Sequence, residues 1–154
     1  MSEPVFLRPG EAKGPSSPIG GDILYLARGE QTGERIFAFE NVIPPGQGPP
    51  LHEHADQAET IYVLEGELRV KLAGELTSGP AGSFVFIPPR TPHTWQSTGD
   101  GPVRMLVHLT PAGLEHFFDN FAALEAPGPD DFARVGEGVG MTVLGPPLAV
   151  SDPL

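Results

Sequence analysis

Residues 49–66 read PPLHEHADQAETIYVLEG. His52 and His54 are separated by one residue, and Glu59 follows at the head of the apolar run ETIYVLEG. In extended backbone, residues i and i+2 face the same side, about 6.5–7 Å apart, so the two imidazoles can aim at one point between them. Imidazole is the commonest neutral metal ligand, and a carboxylate buried at the mouth of a strand needs water, a cation or hydrogen-bond partners. Taken alone, HEHADQAE reads first as a solvated acidic loop with incidental histidines. A third histidine shifts the balance. His93, in FIPPRTPHTWQS, also enters an apolar strand, and the PPRTP ahead of it restricts how the chain approaches.

Outward from this stretch the pattern is that of strands and turns. ILYLAR, RIFAFENVI, TIYVLEGELRVKLA, SFVFIP, HTWQS and VRMLVHLT are strand candidates separated by Gly, Pro, Asp or Ser clusters. The 20 Gly and 19 Pro of the 154 residues punctuate short apolar runs and so read as turns in one β domain rather than as low complexity. Several runs are apolar on both faces, which predicts a compact β-barrel. Residues 22–110 are assigned to it and 1–21 to an N-terminal arm with one short strand at VFL. After LTPAG the period changes. Leu114, Phe117, Phe118, Phe121 and Leu124 fall at helical spacing, which predicts one amphipathic helix within 111–126 packing on the barrel. Residues 127–154 are expected as an extended tail, with at most a short helix near DDFARV and an extended piece at MTVLG.

Composition narrows the chemistry. A formal charge of -11 with no basic cluster argues against nucleic acid and anionic membrane surfaces as partners. No apolar run reaches the roughly 20 residues of a spanning helix, and MSEPVFLRPGEAKG lacks the basic start and apolar stretch of a signal peptide. A soluble, cytoplasmic protein is expected. With no cysteine, there is neither a thiolate nucleophile nor a Cys-based zinc site. Any metal must be held by nitrogen and oxygen.

These residues resemble the cupin superfamily position by position. Its first motif, G-x5-H-x-H-x4-E-x6-G, falls on Gly46, His52, His54, Glu59 and Gly66; its second, G-x5-P-x-G-x2-H-x3-N, falls on Gly82, Pro88 and His93. Arg90 stands where the family has glycine and Ser97 where it has asparagine, departures that bear on turn geometry and substrate contacts rather than on the metal. The resemblance implies an all-β double-stranded β-helix, the jelly-roll barrel of cupins, with His52, His54, Glu59 and His93 around one divalent metal ion. Three imidazoles and a carboxylate would leave two positions of an octahedron open, a catalytic rather than a closed structural arrangement. Such a set suits Fe, Mn, Ni, Co or Zn, and ligand type alone does not choose among them.

HEH followed by ETIYVLEG and PPRTPHTWQ, with a helix opened by TPAG and a tail carrying LGPPL, is similar to the quercetin dioxygenase-like branch of cupins. That similarity implies an oxidoreductase: a metal-dependent dioxygenase acting on a small enol- or phenol-type, flavonol-like substrate, with Glu59 shifting from ligand to general base. The alternatives are a non-redox metal-dependent isomerase, epimerase or decarboxylase, and a non-catalytic small-ligand binding module. Among other polar residues, His108 reads as a core or rim histidine, His116 as surface, and Asp56 and Gln57 as a solvated turn. Arg90 reads as a surface residue with a secondary role toward an anionic substrate. Tyr62, Phe86, Trp95 and Met105 are assigned to the core. Trp95, two residues past His93, is the one chosen to line the pocket. Small β-barrels expose edges and apolar faces, and a homodimer is expected, with VFL adding to a neighbour.

Overall fold

The computed structural model describes residues 2–154. Its elements in chain order are β1 (Asp22–Ala27), α1 (Gly29–Thr32), β2 (Phe37–Ile43), β3 (Leu51–His54), β4 (Ala58–Glu65), β5 (Glu67–Leu72), β6 (Glu75–Pro80), β7 (Phe84–Ile87), β8 (His93–Ser97), β9 (Val103–Thr110), α2 (Glu115–Ala122), α3 (Asp131–Glu137), β10 (Met141–Gly145) and α4 (Leu148–Ser151). The strands form two five-stranded sheets, β1-β2-β9-β4-β7 and β10-β3-β8-β5-β6, in which every pairing is antiparallel. This is the jelly-roll arrangement expected from the sequence, but as two facing sheets rather than a continuously closed barrel.

Alternation along the strands builds the core between the sheets. In β9 the odd residues Val103, Met105, Val107 and Leu109 are fully buried while Arg104, Leu106 and His108 lie on the other face. In β4, Glu59, Ile61 and Val63 point inward and Tyr62 outward. Tyr62 and Phe86, expected in the core, are therefore exposed: they sit on the outer face of their sheet, where Tyr62 pairs with Phe84 and Thr60 with Phe86. Both strands carry apolar side chains on each face, so period alone could not say which face is covered. Gly66, the last glycine of the first motif, takes φ +85° between β4 and β5, and a Cβ there would stand 2.7 Å from the Pro102 carbonyl oxygen.

The helix expected within 111–126 is α2, and α3 and α4 are additional short helices beyond it. α2 is clamped to the first sheet. The buried Glu115 accepts from the Gly29 and Gly113 amides at 2.6 Å each, while Tyr25 donates its hydroxyl to Asp119 at 2.8 Å and Arg28 pairs with the same carboxylate at 2.8 Å. The tail supplies more order than an extended piece. DDFARV and MTVLG become α3 and β10, and β10 pairs with β3 through Met141–His54 and Val143–His52, flanking the strand that carries two of the histidines. The VFL segment, expected as a strand, is in none: residues 5–7 are exposed coil, while the arm meets the sheet through isolated bridges such as Lys13–Tyr25 and through Ile19, which packs against the core.

Candidate metal centre

β3 is short, and its surroundings fix its register. Thr94 donates to the Pro49 carbonyl at 2.7 Å, the Ala55 amide bonds Gly140, and the Arg90 amide bonds the His54 carbonyl at 2.7 Å. Gly48 packs so closely on β8 that a Cβ would meet the Trp95 carbonyl oxygen at 1.9 Å. So held, β3 turns His52 and His54 inward with Glu53 on the other side. His52 pairs with His93 across the β3–β8 ladder, which brings the third imidazole to the same face. Glu59 comes from β4 in the opposing sheet, and the donors therefore meet between the sheets.

All four side chains are buried, and one donor atom from each lies within 4.8 Å of all the others. Glu59 Oε1 is 3.1 Å from His93 Nε2 and 3.2 Å from His54 Nε2. With metal–ligand bonds of about 2.1 Å, adjacent donors of an octahedron are about 3.0 Å apart and opposite donors about 4.2 Å, so closure needs only shifts of a few tenths of an ångström. The ring orientations also fit. His52 and His93 each direct Nδ1 at a backbone carbonyl 2.8 Å away, Pro50 and Thr91 respectively. With Nδ1 donating, Nε2 presents its lone pair inward, which is the arrangement of a metal-bound imidazole held by a second partner. Both nitrogens of His54 are buried without a hydrogen bond, since its contact with Glu59 is misaligned. A buried imidazole with no partner is the signature of a missing partner at the site. The four residues could hold a metal ion.

Burial and the charges of the cluster shift three of the four donors. Burial, the largest cause, together with the neighbouring His93 and His54, pushes His52 well below its usual pKa, so it is neutral and ready to ligate. For Glu59, burial alone would raise the pKa, but the adjacent His54 and His93 rings outweigh it and hold the carboxyl below its usual range. His93 is the counterpart: burial would lower it, and the Glu59 carboxylate raises it instead.

The donors open on a cavity of about 40 Å³, room for a few water molecules. Its far wall is apolar: Phe39 and Met141 from the sheets, and Leu114, Phe117, Phe118 and Phe132 from the segment of α2 and α3. The amphipathic helix read from sequence is thus a cap over the site. Trp95 lines the cavity as expected, its ring stacked on that of His93 at 6.1 Å.

Other candidates fall elsewhere. His108 is half-buried on the outer face of β9, 3.2 Å from Thr60 Oγ1, and its pKa is lowered by burial. His116 and Asp56 are exposed; Gln57, read as part of a solvated turn, is buried and bonds the Pro111 carbonyl at 3.1 Å. Arg90 is exposed and does not line the cavity; its φ of +60° explains why the family motif has glycine there. Two features escaped sequence reasoning. Asn41 lines the cavity from the inner face of β2, and the signal was one polar residue in the inward row Phe37, Phe39, Asn41, Ile43. Glu115 is a buried clamp, and its partner Gly29 lies 86 residues away, beyond any local pattern.

Residues 39–109 match the family described as Cupin domain. Protein SchB of Streptomyces halstedii is 30% identical over 98 residues, which cover 63% of this chain and 71% of that protein. The chain belongs to the cupin superfamily. A further relative is the quercetin 2,3-dioxygenase of Bacillus subtilis (strain 168), 36% identical over 97 residues that cover 60% of this chain and 27% of the dioxygenase. Among solved structures, an RmlC-like cupin from Shewanella frigidimarina NCIMB 400 superposes with a TM-score of 0.60 at 22% identity, covering 73% of this chain and 96% of that one. The chain spans 54% and 64% of the lengths of two other curated relatives it matches. No helix among the described residues is long and apolar enough to cross a membrane.

Proposed function

We propose that His52, His54, Glu59 and His93 bind one divalent transition-metal ion and that the protein is a metal-dependent dioxygenase acting on a small enol- or phenol-type substrate. The observation that carries this reading is the cluster itself: four buried donors within 4.8 Å, with His54 lacking any hydrogen-bond partner, facing an apolar cavity. The similarity to a quercetin 2,3-dioxygenase supports the reaction class. When bound, the metal would supply Lewis acidity and open coordination positions at which substrate and dioxygen can be brought together. The chain supplies the rest. The Pro50 and Thr91 carbonyls fix the tautomers of His52 and His93. Glu59 is the residue that would take the proton of a substrate hydroxyl. The cap residues Leu114, Phe117, Phe118 and Phe132 exclude water from the reacting centre.

Oxygen consumption by the iron-, nickel- or manganese-loaded chain with enols and flavonols tests the reading. Uptake that disappears in Glu59→Ala supports it, and no uptake with any of these metals contradicts it. The small cavity favours a second reading, a non-redox isomerase, epimerase or decarboxylase of a compact substrate, in which the metal would polarise a carbonyl. Activity with Zn(II) and no oxygen uptake would select it.

The same proposal places the chain in the cytoplasm as a homodimer. The exposed Val5, Phe6 and Leu7 of the arm, and the outward Tyr62, Leu64, Phe84 and Phe86, support a second copy as partner. Light scattering showing a monomer at micromolar concentration would contradict the dimer.

A further inference from the structure

Besides the two nitrogens of His54, two polar atoms of residues that line the cavity hydrogen-bond to nothing: Asn41 Oδ1 and Trp95 Nε1. Both side chains are buried, at 4% and 6% exposure. A buried polar group without a partner is destabilising, and such groups in a folded protein call for a reason. The fold does not supply one for Asn41. Its neighbours on the inner face of β2 are Phe37, Phe39 and Ile43, and leucine would fill the same space without an unpaired amide. Indole is a donor only, so Trp95 Nε1 can be satisfied only by an acceptor.

The two residues stand on opposite walls. Trp95 is on β8 beside the candidate ligands, its ring 5.9 Å from that of His52 and 6.1 Å from that of His93. Asn41 is on the facing sheet. It pairs with Met105, which pairs with Val63, four residues along β4 from Glu59. Trp95 is therefore at the metal end of the cavity and Asn41 away from it.

Resting on the metal-centre reading above, we propose that Trp95 and Asn41 are the ligand-recognition groups of this pocket. Trp95 Nε1 donates to an oxygen at the metal-proximal end of the ligand. The Asn41 carboxamide bonds a hydroxyl on the remote part; a hydroxyl both donates and accepts, so it answers whichever end of the amide is presented. The ligand class is a small, mostly apolar molecule with a metal-ligating oxygen head and one further hydroxyl remote from it. Its body lies against Phe39, Phe118 and Phe132.

The test is calorimetric titration of the full chain loaded with Zn(II), which is redox-silent, with two probes sharing one head: 4-propylcatechol and 4-(3-hydroxypropyl)catechol. The wild-type chain is expected to bind the hydroxylated probe about tenfold tighter, the size of effect one well-made hydrogen bond in a dry site produces. Asn41→Leu erases that preference, read as the ratio of the two probes' affinities within the variant. Trp95→Phe weakens both probes alike. In the ligand-free protein Asn41→Leu raises Tm, because an apolar side chain replaces an unpartnered amide. A preference that is absent in the wild type or survives Asn41→Leu, failure of the zinc-loaded chain to bind either probe, or a Tm lowered by several degrees overturns this inference alone. A wild-type chain that takes up no zinc overturns the metal reading and this inference with it.

Discussion

His52 and His93 stand opposite each other on β3 and β8, ring centroids 4.3 Å apart, each with Nδ1 turned to a backbone carbonyl two residues earlier in its own chain. The two motifs of the sequence thus meet as one register pair, each ring locked by the proline-restricted loop that leads into its strand. Glu59 faces them from the other sheet, so any slip of one sheet on the other would separate the donors.

The cap is expected to depend on Glu115. Glu115→Ala removes a buried carboxylate that accepts from the Gly29 and Gly113 amides and leaves both without partners. The expected cost is about 2–3 kcal/mol, the penalty of orphaned buried donors. Urea unfolding checks it, and a loss under about 0.5 kcal/mol would show that water replaces the carboxylate.

Arg90 adopts φ +60° while its amide bonds His54. A non-glycine residue there carries roughly 1–2 kcal/mol of backbone strain, partly offset in a glycine variant by greater freedom of the unfolded chain. Arg90→Gly is therefore expected to leave stability unchanged or to raise it by up to about 1 kcal/mol, with metal content unaltered. A loss above about 1 kcal/mol would assign the Arg90 side chain a structural role.

Asp119 gives the cap a pH dependence. Burial would raise its pKa, but hydrogen bonds from Arg28 and Tyr25 outweigh this and hold it below its ordinary value of 3.8. A depressed carboxylate contributes stability that is fully present above its unfolded pKa and lost as pH falls through the folded one. The difference in Tm between the wild type and Asp119→Asn should thus be constant from about pH 5 to 7 and shrink below about pH 4. A difference that persists at pH 2 would contradict the pairing.

Phe132→Ala should widen the cavity at the cap. Phe132 is half-buried and packs edge-on against Phe117 at 4.9 Å. A stability loss of about 2 kcal/mol is expected, less than the 3–5 of a fully buried phenylalanine, together with tighter binding of bulkier phenols by the metal-loaded chain. Calorimetry that finds no change in the affinity of larger phenols would remove α3 from the pocket wall.

How much of this was legible in the sequence follows from the range of each interaction. His52 and His54 share a face because strand period is local, and the proline-led entry of His93 is local too. The convergence of these residues with Glu59 was readable only through the motif spacing, which encodes long-range pairing that no single strand reveals. Tyr62 and Phe86 were misplaced because apolar residues occupy both faces of β4 and β7. The pairing of β10 with β3 and the Glu115–Gly29 clamp join segments some 90 residues apart, and nothing local marks them. Asn41 was visible as a break in an apolar row, but its meaning needed the facing wall of the cavity.

The central claim is that the four residues hold a metal. Elemental analysis of the chain purified without added metal, beside His52→Ala and His93→Ala shown to be folded by circular dichroism, tests it most directly. About one transition-metal ion per chain is expected in the wild type, and less than about a tenth of that in either variant. Full occupancy in His52→Ala, or a wild-type chain that neither carries nor takes up metal, would contradict the account.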